Sequence, residues 1–277
     1  MNRNPKLEEK VGQAGETCLI FDTHAHYDDA QFDEDRSEIL ENLYKSGIGN
    51  VVDVGAGLKS TARAVALAGK YPFVYAAAGV HPTETAGLTE QDFLWLEQQL
   101  EEEKVVAVGE IGLDYHWDSP REIQQYWFER QLFLAIKKEM PVIIHSRDAA
   151  EDTLSIIKKA YSQAQENKTR LTGVVHCFSY GVEMAREYVK MGFYLGVGGV
   201  LTYKNARKLR EVVEQIPLEY LVLETDCPYL APEPHRGERN TSLNLTYVVR
   251  EFASIRGIEE EEVIRATTAN ALRLYRL

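Results

Sequence analysis

The sequence predicts an α/β fold of one domain, a (β/α)8 TIM-like barrel. Three observations predict it. Eight short apolar, β-branched runs recur along a chain with no Pro/Gly/Ser-rich linker. A longer amphipathic stretch follows each run. The polar residues of most chemical interest gather where the runs end. Continuous rather than alternating apolar character is what parallel strands buried on both faces require, and 277 residues suit one such barrel. The main competitor, a doubly wound open sheet, needs a Gly-rich phosphate turn after its first strand. Here the first run leads instead into Asp-Thr-His-Ala-His, residues 22 to 26.

In chain order the expected strands are Leu19–Phe21, Val51–Val54, Val74–Ala78, Val105–Val108, Val142–Ile144, Val174–Val175, Phe193–Val197 and Leu221–Leu223. The first expected helix, Glu34–Ser46, carries Ile39, Leu40 and Leu43 on one face. Leu58–Gly69 is rich in alanine. Glu90–Glu102 turns Phe93, Leu94, Leu96 and Leu100 toward a core. Pro120 opens a helix reaching about Glu139, with proline in its favoured first-turn place. Asp148–Ala164, Val182–Met191 and Asn205–Gln215 follow, and the tail holds Ser242–Arg256 and Ile258–Tyr275. Gly47, Gly69, Gly192 and Gly257 fall where helix stop signals are expected.

Composition excludes some classes. No stretch approaches 18 uncharged apolar residues, so no membrane span is expected. The net charge of −12 argues against a broad, non-specific grip on a nucleic-acid duplex, though not against a local one. Residues 1–16 are polar, of mixed charge and without an apolar signal-peptide core; they are expected to be an N-terminal extension to a barrel spanning residues 17–277. Cys18, Cys177 and Cys227 are far apart and lack Cys-x-x-Cys spacing. Free thiols and a cytoplasmic location are expected.

Residues i and i+2 of a strand point to one side, so His24 and His26 can present two imidazoles to one ion. Six of the seven histidines fall at or just after the end of an expected strand: His24, His26, His81, His116, His145 and His176. The seventh, His235, sits in a loop beyond the eighth strand. Glu110 and Asp226 end strands four and eight. The C-terminal face of a barrel is where active sites are built. His24, His26, Glu110, His145, His176 and Asp226 together form a ligand set for two divalent ions, with Glu110 the natural bridge. No lysine stands at a strand end, which disfavours a carbamylated-lysine bridge. Blander roles are open for other residues. His81 beside Pro82 suits a hydrogen-bonded loop, His116 suits aromatic packing, and Asp114 suits a turn cap. Glu224, in phase with Asp226, suits a supporting partner. Cys177 and Cys227 suit buried thiols.

The segments Phe21-Asp-Thr-His-Ala-His26, Gly79-Val-His-Pro82, Gly109-Glu-Ile-Gly-Leu-Asp-Tyr115, Ile144-His-Ser-Arg-Asp148, Val175-His-Cys-Phe-Ser179, Glu224-Thr-Asp-Cys-Pro-Tyr-Leu230 and Pro234-His-Arg-Gly-Glu-Arg-Asn240 occur in this order. In this, the chain resembles the TatD-type metal-dependent deoxyribonucleases of the amidohydrolase superfamily, from about residue 19 to the C-terminus. The resemblance implies a dinuclear barrel enzyme. One ion would be held by His24, His26, Glu110 and Asp226, and the other by Glu110, His145 and His176. It also implies DNA as substrate, with several members acting as 3′→5′ exonucleases on single strands. Residues 1–16 have no counterpart in the pattern. Where the family often continues Asn-Glu-Pro, Thr241-Ser242 follow Asn240, which weakens the carry-over of substrate contacts there.

The expected chemistry is two-metal phosphodiester hydrolysis, with Glu110 and Asp226 as catalytic residues. Asp226 takes or relays the proton of the attacking water, and Glu110 fixes the ion separation. Arg147 is a candidate phosphate clamp, and His81 a donor to a phosphate oxygen. Lys204, His235, Arg236 and Arg239 are further candidate contacts on the same face. Tyr115, His116 and Trp117 are placed to stack a terminal base. The expected cofactors are two divalent ions, Zn²⁺, Mn²⁺ or Mg²⁺, with the histidine count favouring Zn²⁺. DNA ends are the expected partner, with no membrane and no obligate protein partner. One rival is hydrolysis of another bond on the same site: an amide, lactone, phosphotriester or aminoacyl ester. Another is a non-catalytic metal-binding scaffold, which the presence of both Glu110 and Asp226 disfavours.

Overall fold

Strands buried on both faces have to lie side by side beneath a layer of helices, and the eight strands of this chain do so in sequence order. The computed structural model describes residues 19–277; the extension expected over residues 1–16 lies outside the described residues. The elements are β1 (Ile20–Ala25), α1 (Arg36–Leu43), β2 (Ile48–Val54), α2 (Leu58–Lys70), β3 (Val74–Ala78), α3 (Glu90–Gln99), β4 (Val105–Asp114), α4 (Arg121–Lys138) and β5 (Val142–Arg147). There follow α5 (Ala150–Glu166), β6 (Gly173–Val175), α6 (Val182–Lys190), β7 (Tyr194–Val197), α7 (Arg207–Gln215), β8 (Leu221–Leu223), α8 (Leu245–Arg256) and α9 (Glu260–Tyr275). Each strand pairs in parallel with the next, and the sheet curls until β8 meets β1, giving the (β/α)8 barrel. No helix among the described residues is long and apolar enough to cross a membrane.

Two expectations need correction, and β1, β2, β4, β5 and β6 outrun their expected lengths, β4 by the most. Leu94 is 52% exposed. Phe93, Leu96 and Leu100 share the buried face of α3, and Leu94 lies about 100° further round the helix, toward water. Gly69 does not stop α2, which runs to Lys70 and ends at an extended Tyr71. Gly47, Gly192 and Gly257 do adopt the left-handed conformation of helix ends. β4 runs past Val108 to Asp114, all ten residues buried. A register shift between Val108 and Ile111 lets it stay paired with β5 as far as Asp114 opposite Arg147. Glu110 therefore sits inside a strand rather than at its tip.

One end of the barrel is closed by the chain's own tail. Ala271, Leu274 and Tyr275 of α9 pack with Phe21, Val52, Ala107, Ile143 and Val222, from five different strands. One helix can reach strands so far apart in the sheet only across the barrel mouth. The Tyr275 hydroxyl also donates to the carbonyl of Thr23 (3.0 Å). The opposite, C-terminal end stays open to hold the site.

The seam between β1 and β8 has few backbone bonds. His26 N–H donates to Cys227 O (2.7 Å) and Asp226 N–H to His24 O (2.9 Å). Side chains add to them: the Thr23 hydroxyl donates to Leu223 O (2.9 Å), and a buried carboxylate ties the two ends together. Asp22 Oδ2 accepts from the hydroxyls of Thr225 (2.7 Å) and Ser242 (2.6 Å), and Oδ1 accepts from Thr225 N–H (3.0 Å). Burial pushes the Asp22 carboxyl up to about 6 against these hydrogen bonds. Asp22→Ala would leave these donors buried and unmatched. It is expected to lower the unfolding free energy by about 3 kcal/mol, read as an earlier urea midpoint. An unchanged midpoint would show that the seam does not depend on it.

Candidate metal centre

The open end of the barrel brings six polar side chains onto one point. His24 lies in β1 and His26 just beyond it; Glu110 is in β4 and His145 in β5; His176 follows β6 and Asp226 follows β8. They fall into two groups of donor atoms that share Glu110. In the first, His24 Nε2 lies 3.1 Å from His26 Nε2, 3.6 Å from Asp226 Oδ1 and 3.6 Å from Glu110 Oε2. His26 Nε2 lies 3.3 Å from Asp226 Oδ1. In the second, Glu110 Oε1 lies 2.8 Å from His145 Nδ1 and 2.7 Å from His176 Nε2, and those two nitrogens are 3.3 Å apart. Ligands 2.0–2.1 Å from one ion sit roughly 3.0–3.4 Å from each other. Three of these separations fall in that range and the others near it, so the side chains are spaced to hold metal.

The far side of two of the four rings is already held, which fixes the atom left for an ion. His26 Nδ1 faces the carbonyl of Val54 (2.8 Å), so it carries the proton and Nε2 is free to ligate. His145 Nε2 faces Asp114 Oδ2 (3.0 Å), leaving Nδ1. Asp114 also caps a turn, its Oδ1 accepting from His116 N–H (3.0 Å), so it fills the turn role and a second one. His176 Nδ1 is buried without a hydrogen bond and looks toward Glu224 Oε1 at 3.8 Å. Gly196 makes room for that carboxylate: a Cβ there would meet Glu224 Oε2 at 2.1 Å.

Charge in this pocket is unevenly shared. Two cationic rings 3.1 Å apart repel, and burial with the nearby His176 lowers His24 to about 4. Burial also opposes protonation of His26, but the Asp226 and Glu110 carboxylates outweigh it and raise His26 to about 10. Glu110 does the same for His176, raising it to about 9. Burial would raise Glu110 itself, yet the surrounding imidazoles hold it well below the usual carboxylate range.

His81 stands at the edge of the second group, its Nε2 3.9 Å from Glu110 Oε1. Its Nδ1 accepts the N–H of Thr83 (3.3 Å) as a cap. Burial lowers its pKa to about 4. The ring is then neutral with its proton on Nε2, a donor facing the centre rather than a lone pair.

A cavity of about 830 Å³ opens from the centre, and its walls include His26, His81, Glu110, His145, His176 and Asp226. The other expected contacts lie outside that wall. Arg147 is exposed, 6.0 Å from the Trp117 ring centroid. Tyr115 donates to Asp152 (2.7 Å), and His116 approaches Asp148 (3.4 Å). His235 is held by Glu238 (2.8 Å) and Tyr247 (3.1 Å). Arg236 covers the Tyr203 ring (4.4 Å), Arg239 pairs with Asp35, and Lys204 is exposed. The structure places Lys59, Arg63 and Tyr229 on the cavity wall instead. No motif marks the first two. The available signal was positional: the first turn of a helix that follows a barrel strand opens onto the C-terminal face.

A sequence model of the family described as TatD related DNase matches residues 21–276. The metal-dependent hydrolase YabD of Bacillus subtilis is 43% identical over 94% of this chain and all of that protein. A protein of Cronobacter sakazakii named 3′-5′ ssDNA/RNA exonuclease TatD is 33% identical over 92% of this chain and 97% of its own length. Among solved structures, the TatD homologue YjjV of Escherichia coli superposes with a TM-score of 0.87 at 33% identity, over 95% of this chain and all of that one.

Ion binding should expel protons. His26 and His176 are protonated at pH 7 and must be neutral to ligate. Apparent affinity for a divalent ion should therefore rise with pH up to about 9–10 and weaken as pH falls. Calorimetry in buffers of different ionisation enthalpy should detect the released protons; a pH-independent affinity would contradict this assignment. Asp114→Asn should weaken metal affinity about 10- to 100-fold by loosening His145, read by competition with a chelating dye.

Proposed function

The chain belongs to the TatD-related DNase family of metal-dependent hydrolases, and from that premise we propose that it is a deoxyribonuclease that shortens single-stranded DNA from its 3′ end. The observation that carries the reading is Glu110, whose two oxygens face two separate donor groups on the floor of one cavity. The name of the Cronobacter relative supports the substrate class and the polarity.

His24, His26, Asp226 and Glu110 would hold one ion, and Glu110, His145 and His176 the other. Four imidazoles favour Zn²⁺ for tight binding, with Mn²⁺ and Mg²⁺ as alternatives. When bound, the ions supply Lewis-acid charge at the scissile phosphate and lower the pKa of water toward neutrality. The chain's residues do the rest. Asp226 is held ionised against burial by His26 and its neighbours, with Oδ1 directed at His24 and His26. Its Oδ2 has no partner among the described residues and can accept the proton of the attacking water. His81 offers Nε2–H to a non-bridging phosphate oxygen. Glu110 keeps the two groups in register. The free thiols of Cys177 and Cys227 suit a cytoplasmic location.

End-labelled single-stranded DNA, duplex DNA and RNA, beside a lactone, a phosphotriester and an aminoacyl ester, test this reading. The expected outcome is a ladder from the 3′ end of the single strand, abolished by EDTA and restored by a divalent ion. Glu110→Ala and Asp226→Ala should each lower the rate by about a thousandfold or more while circular dichroism stays that of the parent. Near-normal hydrolysis by both variants would remove the mechanism.

A further inference from the structure

A substrate larger than its reacting group has to leave the metal centre along the cavity, and the cavity runs to one side. It extends under the segments that follow β1, β2 and β3, past Asp28 and Asp29, then Lys59 and Arg63, then Thr83 and Glu84. Lys59 and Arg63 are four residues apart, on one face of α2. Arg63 Nη1 leans on the carbonyl of Asp28 (3.3 Å). Neither cation lies within ion-pair distance of a carboxylate among the described residues. Lys59 stands in the first turn of its helix, where the helix dipole disfavours a cation, and no acidic residue occupies that turn. Asp28 and Glu84 share this wall, and Arg63 acts on the Asp28 carboxyl from beyond ion-pair distance, so the two cations stand near carboxylates without being paired to one.

Two of the nearby carboxylates are already engaged. Asp29 accepts Gln31 N–H (2.7 Å) and the Tyr229 hydroxyl (3.0 Å). Asp92 forms the capping box of α3 with Thr89. The Asp29 contact also holds the ring of Tyr229, which is 48% exposed at the cavity wall, 6.4 Å from the His26 ring. Cations without an ion-pair partner along one wall and a tethered aromatic face on another form the pattern that grips a single nucleic-acid strand, phosphate by charge and base by stacking. On the β8 side, Arg239, Arg236 and His235 already have protein partners.

We propose that Lys59 and Arg63 bind the backbone phosphate next to the scissile one, and that Tyr229 stacks the adjoining base. This subsite rests on the nuclease reading and assigns to the start of α2 the preference for a strand of at least three nucleotides.

The test compares a single-stranded oligothymidylate with bis(p-nitrophenyl) phosphate, which carries one phosphate and does not reach the subsite. In the double variant Lys59→Ala/Arg63→Ala, KM for the oligonucleotide should rise about tenfold with kcat little changed. The ratio of kcat/KM between the two substrates should fall by the same factor. The salt dependence of log kcat/KM on the oligonucleotide should flatten by roughly 0.7 for each phosphate that the variant no longer neutralises, with metal content equal to that of the parent. Tyr229→Ala should raise KM for the oligonucleotide, and Tyr229→Phe should restore most of it. A double variant with parental KM and salt slope overturns the subsite, as does an equal loss on both substrates. Parent protein that cleaves bis(p-nitrophenyl) phosphate but leaves DNA intact overturns the nuclease reading instead.

Discussion

Eight strands enclose a site only if the last one finds the first, and here a buried carboxylate reinforces a short seam of backbone bonds. β8 is three residues long, and the backbone bonds across the seam come from residues just beyond the two strands. Asp22 adds to the ladder by accepting three hydrogen bonds from Thr225 and Ser242. The same seam carries one of the two donor groups. His24 and His26 come from one side and Asp226 from the other, separated by 3.3–3.6 Å only because β1 and β8 are joined. Closure of the barrel and assembly of that group are one event.

The second constraint is electrostatic. Four imidazoles and two carboxylates crowd the floor of the cavity. Burial alone would neutralise all of them. Their mutual contacts reverse this for some: Glu110 and Asp226 stay ionised while His26 and His176 are held protonated. Such a cluster is a store of ligand atoms in the right places, kept from collapsing by partners behind them. Val54 O and Asp114 orient two of the rings. Bound metal would displace the protons of His26 and His176 and replace the close nitrogen and oxygen contacts with bonds of its own.

Much of this was legible in the residues. Parallel strands buried on both faces leave continuous apolar runs, so the strands and the helices between them could be placed from the chain alone. The expected bounds of β3 and β8 agree with the structure. Histidines and carboxylates at strand ends stand out because apolar runs do not otherwise finish that way. Less visible were features that depend on the neighbouring strand. β4 keeps pairing past Val108 because β5 is there to receive it. The second duty of Asp114 arises because β5 places His145 3.0 Å from it. The direction of the cavity is of the same kind. Arg236 and Arg239 stand within a motif yet lie off the cavity wall, while Lys59 and Arg63 line it and carry no motif.

The sequence by itself determined the fold class, the order of the strands and the residue types that meet at the barrel's open end. These follow from local periodicity and from the rule that a βα unit delivers its strand end to one face. Only the tertiary structure decided which nitrogens of His26 and His145 are free, how Glu110 divides its oxygens, and which wall holds cations without an ion-pair partner. Those properties are distances between residues far apart in the chain, such as Glu110 and His176. Local propensity carries no information about such distances until the seam between β1 and β8 has closed.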